Sequence, residues 1–331
     1  MFKVGLLGAG RIAVVHATAI SAHPQSTLVA VSDINQEAAQ KLADEYGAEV
    51  RSTDAILNDT EIDLILIATS TDTHSDLIER ATAAGKAVLC EKPVDLSLER
   101  ARVCLDNVSQ SGCPVMIGFN RRFDPSFSAL KKALDQGEIG KPELLSITSF
   151  DPAPPPVAYI KVSGGLFRDM MIHDFDMANF LMGEAPVSVY AAGTSLVNPE
   201  IGEAGDVDTA IVTLTYADGR IAVIKNSRRA VYGYDQRVEL LGSNGLLQAH
   251  NMLENTVVKS TVDGVTGAKP TYFFLERYMP AYSNEWDAFI AAVSAKSAMP
   301  VSLHDGVLAL TIAEAATRSA RSGQPVALAS I

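Results

Sequence analysis

The sequence predicts an α/β fold, with a parallel sheet in the N-terminal part and an α+β arrangement around a mostly antiparallel sheet in the C-terminal part. In residues 1–120, short apolar runs alternate with helical patterns, which is typical of repeated βαβ units. A glycine-rich turn follows the first apolar run. After Phe119, strand-like runs follow one another through tight turns, which indicates antiparallel pairing.

The N-terminal sheet is predicted from five apolar runs. Near-continuous Val, Ile and Leu in the third run indicates a strand that is buried on both faces. Alanine-rich, charged segments such as Gln36–Tyr46 and Asp76–Ala84 separate the runs and are predicted to be covering helices. The five predicted strands are Val4–Leu7, Leu28–Ser32, Leu64–Ala68, Ala87–Cys90 and Val115–Phe119.

The C-terminal part begins with a predicted helix at Ser126–Gln136. The turns Asp218-Gly219 and Asn244-Gly245 indicate hairpins. A helix at Gly165–Met182 is expected to pack on the sheet. Further helices are predicted at Asn284–Ala295 and Asp305–Arg321, and strands at Leu144–Phe150, Val187–Gly193, Ala210–Tyr216, Ile221–Asn226, Arg237–Leu241 and Asn255–Ser260.

Size and composition limit the classes of function. A chain of 331 residues exceeds the usual size of one hydrophobic core, so we predict two domains, 1–120 and 121–331. The net charge of −12 disfavours nucleic acid and anionic membranes. There is no signal-peptide pattern and no apolar run long enough to span a bilayer. Three cysteines without a C-x-x-C pair argue against disulfides and a zinc site. We therefore expect a cytoplasmic protein without a metal.

The turn after the first strand has the pattern G-x-G-x-x-A from Gly8 to Ala13, a variant of the Rossmann dinucleotide-binding fingerprint. Gly8 permits the tight turn, and Gly10 lets the backbone approach a pyrophosphate. Arg11 and Ile12 open the helix, whose N-terminus favours anions. The sequence thus predicts a Rossmann domain with a dinucleotide site at this turn.

Asp33 ends the second predicted strand, where a carboxylate can accept hydrogen bonds from the adenosine ribose and repel a 2′-phosphate. We therefore predict NAD over NADP, although Asp33 is alternatively an N-cap of the next helix. The Thr69-Ser70-Thr71 stretch follows a buried strand at the carboxyl edge of the sheet, where ligands bind. His74 has two open interpretations, a helix cap or a cofactor contact.

A charged pair, Glu91-Lys92, ends the fourth predicted strand and precedes Pro93. It is either a solvated strand terminus or part of the site at which a nicotinamide arrives. In the stretch Gly164–Asp176, Asp169, His173 and Asp176 have the i, i+4, i+7 spacing that places side chains on one helix face. Two carboxylates beside an imidazole form a proton-handling group.

Together these motifs resemble the glucose–fructose oxidoreductase/inositol dehydrogenase (Gfo/Idh/MocA) family over essentially the whole chain. The resemblance rests on G-A-G-R-I-A, E-K-P at Glu91–Pro93, F-N-R-R-F-D-P at Phe119–Pro125 and the Gly164–Asp176 stretch. D-P-A-P-P-P at Asp151–Pro156 and N-S-R-R-A-V-Y-G-Y-D at Asn226–Asp235 are most similar to the inositol 2-dehydrogenase branch.

The resemblance implies NAD as cofactor, a large open C-terminal sheet and a homotetramer or homodimer that assembles through its open face. Lys92 corresponds to the family's catalytic lysine, whose bond to proline is often cis. Asp169 and His173 correspond to its Asp-x-x-x-His pair. The implied cofactor and substrate contacts are Asn120 and Arg121, for the nicotinamide and substrate, and Asp151 and Tyr234, for ring hydroxyls.

The expected reaction is NAD-dependent oxidation of a cyclic polyol, myo-inositol first and another inositol isomer or a pyranose second. His173 or Lys92 is the base, and Asp169 orients the imidazole. A non-catalytic NAD-binding regulator is the alternative from another class. Several residues have structural alternatives to a role in the site: Asp151 as a turn residue, Asp176 as a packing residue, Arg121 and Arg122 as surface ion pairs, and Tyr232 and Tyr234 as residues that share one face of the sheet. Arg168, where relatives have an aliphatic residue, is expected to influence substrate choice if it reaches the pocket.

Overall fold

The computed structural model describes residues 1–331 and divides into two units. The first comprises Met1–Phe123 and Pro280–Leu310, and the second comprises Asp124–Met279 and Thr311–Ile331. These units differ from a division between residues 120 and 121 because a late segment of the chain returns to the first unit. The domain boundary between residues 120 and 121 stays a prediction.

The first unit contains a six-stranded parallel sheet with strand order β3-β2-β1-β4-β5-β6. This confirms the predicted Rossmann-type parallel sheet, to which the structure adds the two-residue strand β3. The strands are β1 (Phe2–Leu7), β2 (Ser26–Ser32), β3 (Glu49–Val50), β4 (Leu64–Ile67), β5 (Ala87–Glu91) and β6 (Val115–Gly118). The helices are α1 (Arg11–Ala22), α2 (Gln36–Tyr46), α3 (Thr53–Asn58), α4 (His74–Ala83) and α5 (Leu98–Ser111).

All carboxyl ends of these parallel strands lie at the same edge of the sheet. The register aligns Leu7 of β1 with Ser32 of β2 and with Ile67 of β4. Strand order reverses between β1 and β4, because β2 lies on one side of β1 and β4 on the other. Open α/β sheets bind ligands at such a switch point, and the residues that follow these strands are the predicted cofactor contacts.

The returning segment Pro280–Leu310 packs against β6 and the residues after β5. The Ile117 amide donates to the Val301 carbonyl over 3.2 Å. A Cβ at Gly306 would lie 2.6 Å from Cγ2 of Val94, so only glycine permits this approach. Interactions over such sequence distances leave no local pattern, which is why the sequence did not predict them.

The second unit is built on a seven-stranded sheet with the order β12-β11-β7-β10-β9-β8-β15. All neighbouring strands are antiparallel except β7 and β10, which are parallel. The predicted, mostly antiparallel sheet is thereby confirmed. Its strands are β7 (Pro142–Phe150), β8 (Ser188–Thr194), β9 (Thr209–Thr215), β10 (Ile221–Ser227), β11 (Asp235–Gly242), β12 (Gly245–Ala249) and β15 (Val326–Ala327).

The predicted strand at Asn255–Ser260 lies outside this sheet. It corresponds to β13 (Val258–Thr261), which pairs only with β14 (Gly264–Gly267) in an exposed hairpin. The helices of this part are α6 (Pro125–Asp135), α7 (Val157–Ser163), α8 (Gly165–Asp169), α9 (Ile172–Met182) and α10 (Pro199–Glu203); α11 (Phe274–Ala295) and α12 (Leu303–Ser322) each have residues in both units.

The single helix expected over Gly165–Met182 is wrong in one respect, because α8 ends at Asp169 and α9 begins at Ile172. The amides of Met170 and Met171 both donate to the Leu166 carbonyl. This local widening of the helical turn interrupts the regular pattern. Asp169 and His173 therefore lie on two short helices, and the one-face argument from regular spacing does not hold across the break.

None of the helices combines the length and apolar character that a membrane crossing requires.

Candidate functional site

The glycine-rich turn has the backbone that its sequence requires. Gly8 has a φ of +106°, and a Cβ there would lie 2.3 Å from the Ala68 carbonyl oxygen. Gly10 precedes α1 as its N-cap, with no side-chain cap, and a Cβ built on it meets no atom within 4 Å. The cap residue of α1 therefore supplies no side-chain acceptor, and the space beside its Cα is open. This arrangement fits the pyrophosphate of a dinucleotide.

Asp33 is tied directly to this turn. Its Oδ2 accepts a hydrogen bond from the Ala9 amide over 2.6 Å, and its Oδ1 accepts one from the Asn35 amide over 2.7 Å. The N-cap of α2 is Asn35, whose side chain accepts from the Ala38 amide. The capping interpretation of Asp33 is therefore wrong. Its carboxylate lies beside the glycine-rich turn, and its contact with the adenosine ribose stays a prediction.

The Thr69–His74 segment lies at the carboxyl end of β4. The hydroxyls of Thr69 and Thr73 lie 2.6 Å apart. His74 is 1% exposed, with Nδ1 2.7 Å from the Pro93 carbonyl oxygen and Nε2 3.2 Å from the Thr69 carbonyl oxygen. Burial lowers the pKa of the His74 imidazole, while the Pro93 and Thr69 carbonyls oppose this lowering. Thr73, not His74, is the N-cap of α4.

His74 thus connects the segment after β4 with the segment after β5. Predicted cofactor contacts lie at both strand ends: Thr69, Ser70 and Thr71 follow β4, Glu91 is the last residue of β5, and Lys92 follows it. Their contacts with NAD stay predictions.

Lys92 follows the last residue of β5 and is partly exposed. The Lys92–Pro93 peptide bond is cis, as expected from the resemblance. The carboxylate of Glu91 is buried and does not form a solvated strand terminus: its Oε1 lies 2.7 Å from Nε2 of His16. The sequence interpretation missed His16, although a histidine among the buried apolar residues of α1, such as Ala13 and Ile20, is a detectable signal.

Asn120 and Arg121 lie in a short 3-10 turn after β6 and are 2% and 5% exposed. The adjacent Arg122 is buried, with Nη2 3.2 Å from Oδ1 of Asp305. The surface-ion-pair interpretation of Arg122 is therefore wrong. Burial alone raises the pKa of Asp305, but the Arg122 charge and Ser302 hydrogen bonds outweigh it and hold that pKa below its ordinary value.

The Gly164-Gly165 pair positions the start of α8. Both residues have positive φ, and a Cβ on Gly165 would lie 2.6 Å from Oδ1 of Asp206. The Asp206 carboxylate accepts the Leu166 amide, with both oxygens at 3.1 Å. Burial raises the pKa of Asp206 above its ordinary value, against the effects of backbone amides and the Arg228 charge. The double glycine therefore lets an acid anchor this helix.

Asp169 ends α8 beside two groups that the sequence interpretation did not identify. The Tyr159 hydroxyl donates to its Oδ1 over 3.0 Å. Nη2 of Arg228 lies 3.6 Å from its Oδ2, and Arg228 is 1% exposed. Arg228 directly follows β10 in the N-S-R-R stretch, where two adjacent arginines at the end of a strand were the available signal. Tyr159 had no comparable signal.

His173 is partly exposed in the first turn of α9. Its neighbour Asp174 is fully buried and accepts hydrogen bonds from Ser149 over 2.5 Å and from Asn226 over 2.8 Å. These bonds attach α9 to β7 and β10. Asp176 is 1% exposed on the same helix, so it lies in the interior of the second unit.

The predicted polyol contacts Asp151 and Tyr234 lie at the same end of the second sheet. The Asp151 amide donates to the Ser227 carbonyl, and the register aligns Phe150 with both Ser227 and Asp235. Asp151, Arg228 and Tyr234 consequently flank three adjacent strands at one edge. Tyr234 is 7% exposed. The ring-hydroxyl assignments stay predictions.

Arg168 is engaged within the second unit. Its guanidinium pairs with Glu314 of α12. Burial alone raises the pKa of Glu314, but Arg318 and Arg168 outweigh it and lower that pKa. The structure therefore assigns Arg168 a fixed partner, and its influence on substrate choice stays a prediction.

Comparison with known proteins identifies both parts of the chain. Residues 2–119 match the oxidoreductase family domain described as an NAD-binding Rossmann fold. Residues 131–328 match the C-terminal alpha/beta domain of the same oxidoreductase family. The N-terminal domain is therefore an NAD-binding Rossmann domain, which confirms the cofactor prediction.

Similar proteins cover nearly the whole chain. An inositol 2-dehydrogenase of Rhizobium meliloti (strain 1021) is 51% identical over 327 residues, 99% of each chain. A myo-inositol 2-dehydrogenase of Thermotoga maritima is 44% identical over 328 residues, 98% of each chain. A crystal structure of scyllo-inositol dehydrogenase from Lactobacillus casei, with bound NAD(H) and scyllo-inositol, is 29% identical with a TM-score of 0.92 and 99% coverage of both chains.

Proposed function

Because the chain belongs to the Gfo/Idh/MocA oxidoreductase family, we propose that it oxidises a secondary alcohol of a cyclic polyol with NAD, with myo-inositol as substrate and 2-keto-myo-inositol as product. The observation that carries this proposal is 51% identity to an inositol 2-dehydrogenase over 99% of both chains. The retained Lys92, Asp169 and His173 support an enzyme over a non-catalytic NAD-binding regulator, because a regulator does not need a proton-handling group.

Cofactor binding is assigned to the turn and strand ends of the first unit. The uncapped start of α1 and the open space beside Gly10 suit a pyrophosphate, and Asp33 suits the adenosine ribose. The further assigned contacts are Gly8, Arg11, Ile12, Thr69, Ser70, Thr71, His74, Glu91, Lys92, Asn120 and Arg121.

Bound NAD supplies the acceptor for the hydride that leaves the alcohol carbon. His173 accepts the hydroxyl proton as general base, and Lys92 donates a hydrogen bond to the reacting oxygen. Asp169 orients the imidazole and stabilises its charged form. Either His173 or Lys92 can serve as the formal base that removes the hydroxyl proton. Asp151, Asn120 and Tyr234 bind the other ring hydroxyls.

We also propose that the chain forms a homotetramer through the exposed face of the second sheet. The register places Leu246, Leu241, Leu144 and Ile221 side by side on four adjacent strands, and each is at least 40% exposed. A contiguous apolar row of this kind is typical of an interaction surface. Mass measurement in solution tests the proposal: a Leu144→Glu, Ile221→Glu variant should dissociate, whereas a monomeric wild type would contradict it.

We place the enzyme in the cytoplasm, in the catabolism of polyols. Support comes from the three cysteines, all of which are free thiols, as is usual in a reducing compartment. Fractionation of the source cells tests this assignment, and recovery with secreted proteins would contradict it.

The experiment that tests the activity measures NAD reduction with a panel of inositol isomers and pyranose sugars. We expect the highest kcat/KM with myo-inositol. A higher value with scyllo-inositol or an aldose would change the assigned substrate but leave the proposed reaction, NAD-dependent oxidation of a secondary alcohol, unchanged. The Lys92→Ala variant should lose at least about a thousandfold in kcat, whereas the loss of one NAD contact should raise the NAD dissociation constant about tenfold or less. Wild-type turnover in Lys92→Ala would contradict the mechanism, and no turnover of any polyol by the wild type would contradict the function.

A further inference from the structure

A buried hydrogen bond connects the cofactor helix α1 to the strand that precedes Lys92. His16 lies in the second turn of α1 and is 1% exposed, and Glu91 is the last residue of β5 and 7% exposed. Nε2 of His16 lies 2.7 Å from Oε1 of Glu91. Neither residue has a role in the catalytic steps described above, although both are removed from solvent.

The direction of this bond follows from the other ring nitrogen. Nδ1 of His16 is buried and has no hydrogen-bond partner. A proton on Nδ1 would be an unsatisfied buried donor, which costs about 1–3 kcal/mol. The favoured tautomer therefore has its proton on Nε2, which donates to Glu91. The ring is held in place by an edge-to-face contact with Tyr282, with centroids 5.5 Å apart.

The second oxygen of Glu91 faces the lysine. The Lys92 amide donates to Oε2 of Glu91 over 3.3 Å. A Cβ on Gly118 would lie 3.3 Å from both Cα and Cδ of Glu91, so the glycine lets the carboxylate lie against β6. One carboxylate thus joins the His16 ring to the Lys92 backbone.

The residues after Lys92 are held separately. His74 contacts the Pro93 carbonyl, and the Ser75 hydroxyl donates to the Val94 carbonyl over 3.2 Å. These contacts fix the far side of the cis bond. The His16–Glu91 pair, in contrast, reaches the amide of Lys92 itself.

We infer that His16 is a positioning residue for Lys92: through the Glu91 carboxylate it fixes the backbone from which the lysine reaches the reacting oxygen. This inference rests on the proposed function for its kinetic consequence. The helix that carries His16 also begins at the predicted pyrophosphate site. The same helix would therefore contribute both to the NAD site and to the position of Lys92. A small displacement of a catalytic group lowers the rate without weakening binding in proportion.

The test compares His16→Phe, which keeps a ring but has no donor, with His16→Gln, whose amide can donate to Glu91. We expect His16→Phe to lower kcat for myo-inositol at least about tenfold, while KM and the NAD dissociation constant change by about twofold or less. His16→Gln should recover kcat to within about threefold of the wild type.

A measurement without substrate or NAD makes the result independent of activity. Hydrogen exchange of the Lys92 amide should be faster in His16→Phe and slow again in His16→Gln. It should also be faster in Glu91→Gln, because one of the two oxygens that accept from His16 and Lys92 becomes an NH2 group, which cannot accept a hydrogen bond. Ser26→Ala is the matched control: it removes the 2.9 Å buried bond from Nε1 of Trp286, and should lower the melting temperature but change neither kcat nor Lys92 exchange.

Unchanged exchange at Lys92 in His16→Phe would overturn the inference, whatever the activity. So would wild-type kcat in His16→Phe, equal losses in His16→Phe and His16→Gln, or a loss of NAD affinity as large as the loss of kcat. If the wild type fails to oxidise any polyol while the exchange results hold, the proposed function fails and the positioning of Lys92 stands.

Discussion

Nη2 of Arg228 lies 3.6 Å from Oδ2 of Asp169, and the arginine is fully buried beneath that carboxylate. At this distance the contact is an ion pair rather than a hydrogen bond. Asp169 is assigned to hold the His173 imidazole, so the charge of the Asp169 carboxylate and the orientation of its side chain matter for proton transfer. The buried Arg228 cation influences that charge and that orientation.

Replacing Arg228 with methionine keeps most of the volume and removes the charge. We expect kcat to fall at least about tenfold, which corresponds to about 1.4 kcal/mol of transition-state stabilisation, with NAD affinity unchanged. The adjacent Arg229 is exposed, so Arg229→Met is the matched control and should keep wild-type kcat. Equal activity of the two variants would show that Arg228 does not act on Asp169.

Adding a methyl group at Gly10 tests the predicted pyrophosphate site. A Cβ there meets no protein atom, so Gly10→Ala should keep the wild-type melting temperature. It should raise the NAD dissociation constant at least about tenfold, because the methyl group occupies the space in which backbone and phosphate approach each other. Gly267→Ala, in exposed β14 and also free of clashes, should change neither property. Wild-type NAD affinity in Gly10→Ala would place the cofactor elsewhere.

Neutralising Asp33 tests the selection of NAD over NADP. The Asp33→Asn variant keeps an acceptor for the Ala9 amide but loses the charge that repels a 2′-phosphate. We expect the ratio of kcat/KM for NADP to that for NAD to rise at least about tenfold. Asp44→Asn alters an exposed acid of α2 with the same change in net charge and should leave the ratio unchanged. A ratio that is unchanged in Asp33→Asn would exclude this residue from cofactor selection.

The buried His74 predicts a dependence of stability on acidity. In the unfolded chain the imidazole takes up a proton near pH 6.5, whereas burial lowers the pKa of His74 in the folded protein. Below pH 6.5 the unfolded state therefore binds more protons, and the free energy of unfolding falls as pH falls, by at most about 1.4 kcal/mol per pH unit for this group.

Denaturant unfolding between pH 7.5 and 5.5, roughly one unit on each side of that value, measures this dependence. His74→Gln should have a flatter profile than the wild type over this range. His250 is exposed, so His250→Gln should keep the wild-type slope. The same slope in His74→Gln as in the wild type would assign the acid sensitivity to other groups.

Local patterns predicted the parts of the fold that depend on neighbouring residues. The apolar runs located five strands of the parallel sheet to within about two residues, and Asp218-Gly219 correctly marked the hairpin between β9 and β10. The two-residue β3 was missed because it is too short for a period to be visible. The parallel pairing of β7 with β10 was missed because register between distant strands depends on tertiary packing.

The residues of the candidate site likewise fall into those that local sequence patterns predicted and those that depend on distant partners. Gly8, Asp33 and Lys92 stand at predictable positions after strands, so sequence placed them at one edge of the sheet. The regular spacing of Asp169 and His173 suggested a shared helix face, but the turn at Met170 and Met171 interrupts that helix. Arg228 and His16 were not identified as site residues, because their significance comes from partners 59 and 75 positions away along the chain.

Transfer of deuterium from myo-inositol labelled at C2 tests the central claim most directly. If the chain oxidises this carbon by hydride transfer to NAD, mass spectrometry of the nicotinamide product should find one deuterium per NADH formed, with 2-keto-myo-inositol as the co-product. NADH without deuterium, or no NADH from this substrate, would contradict the account.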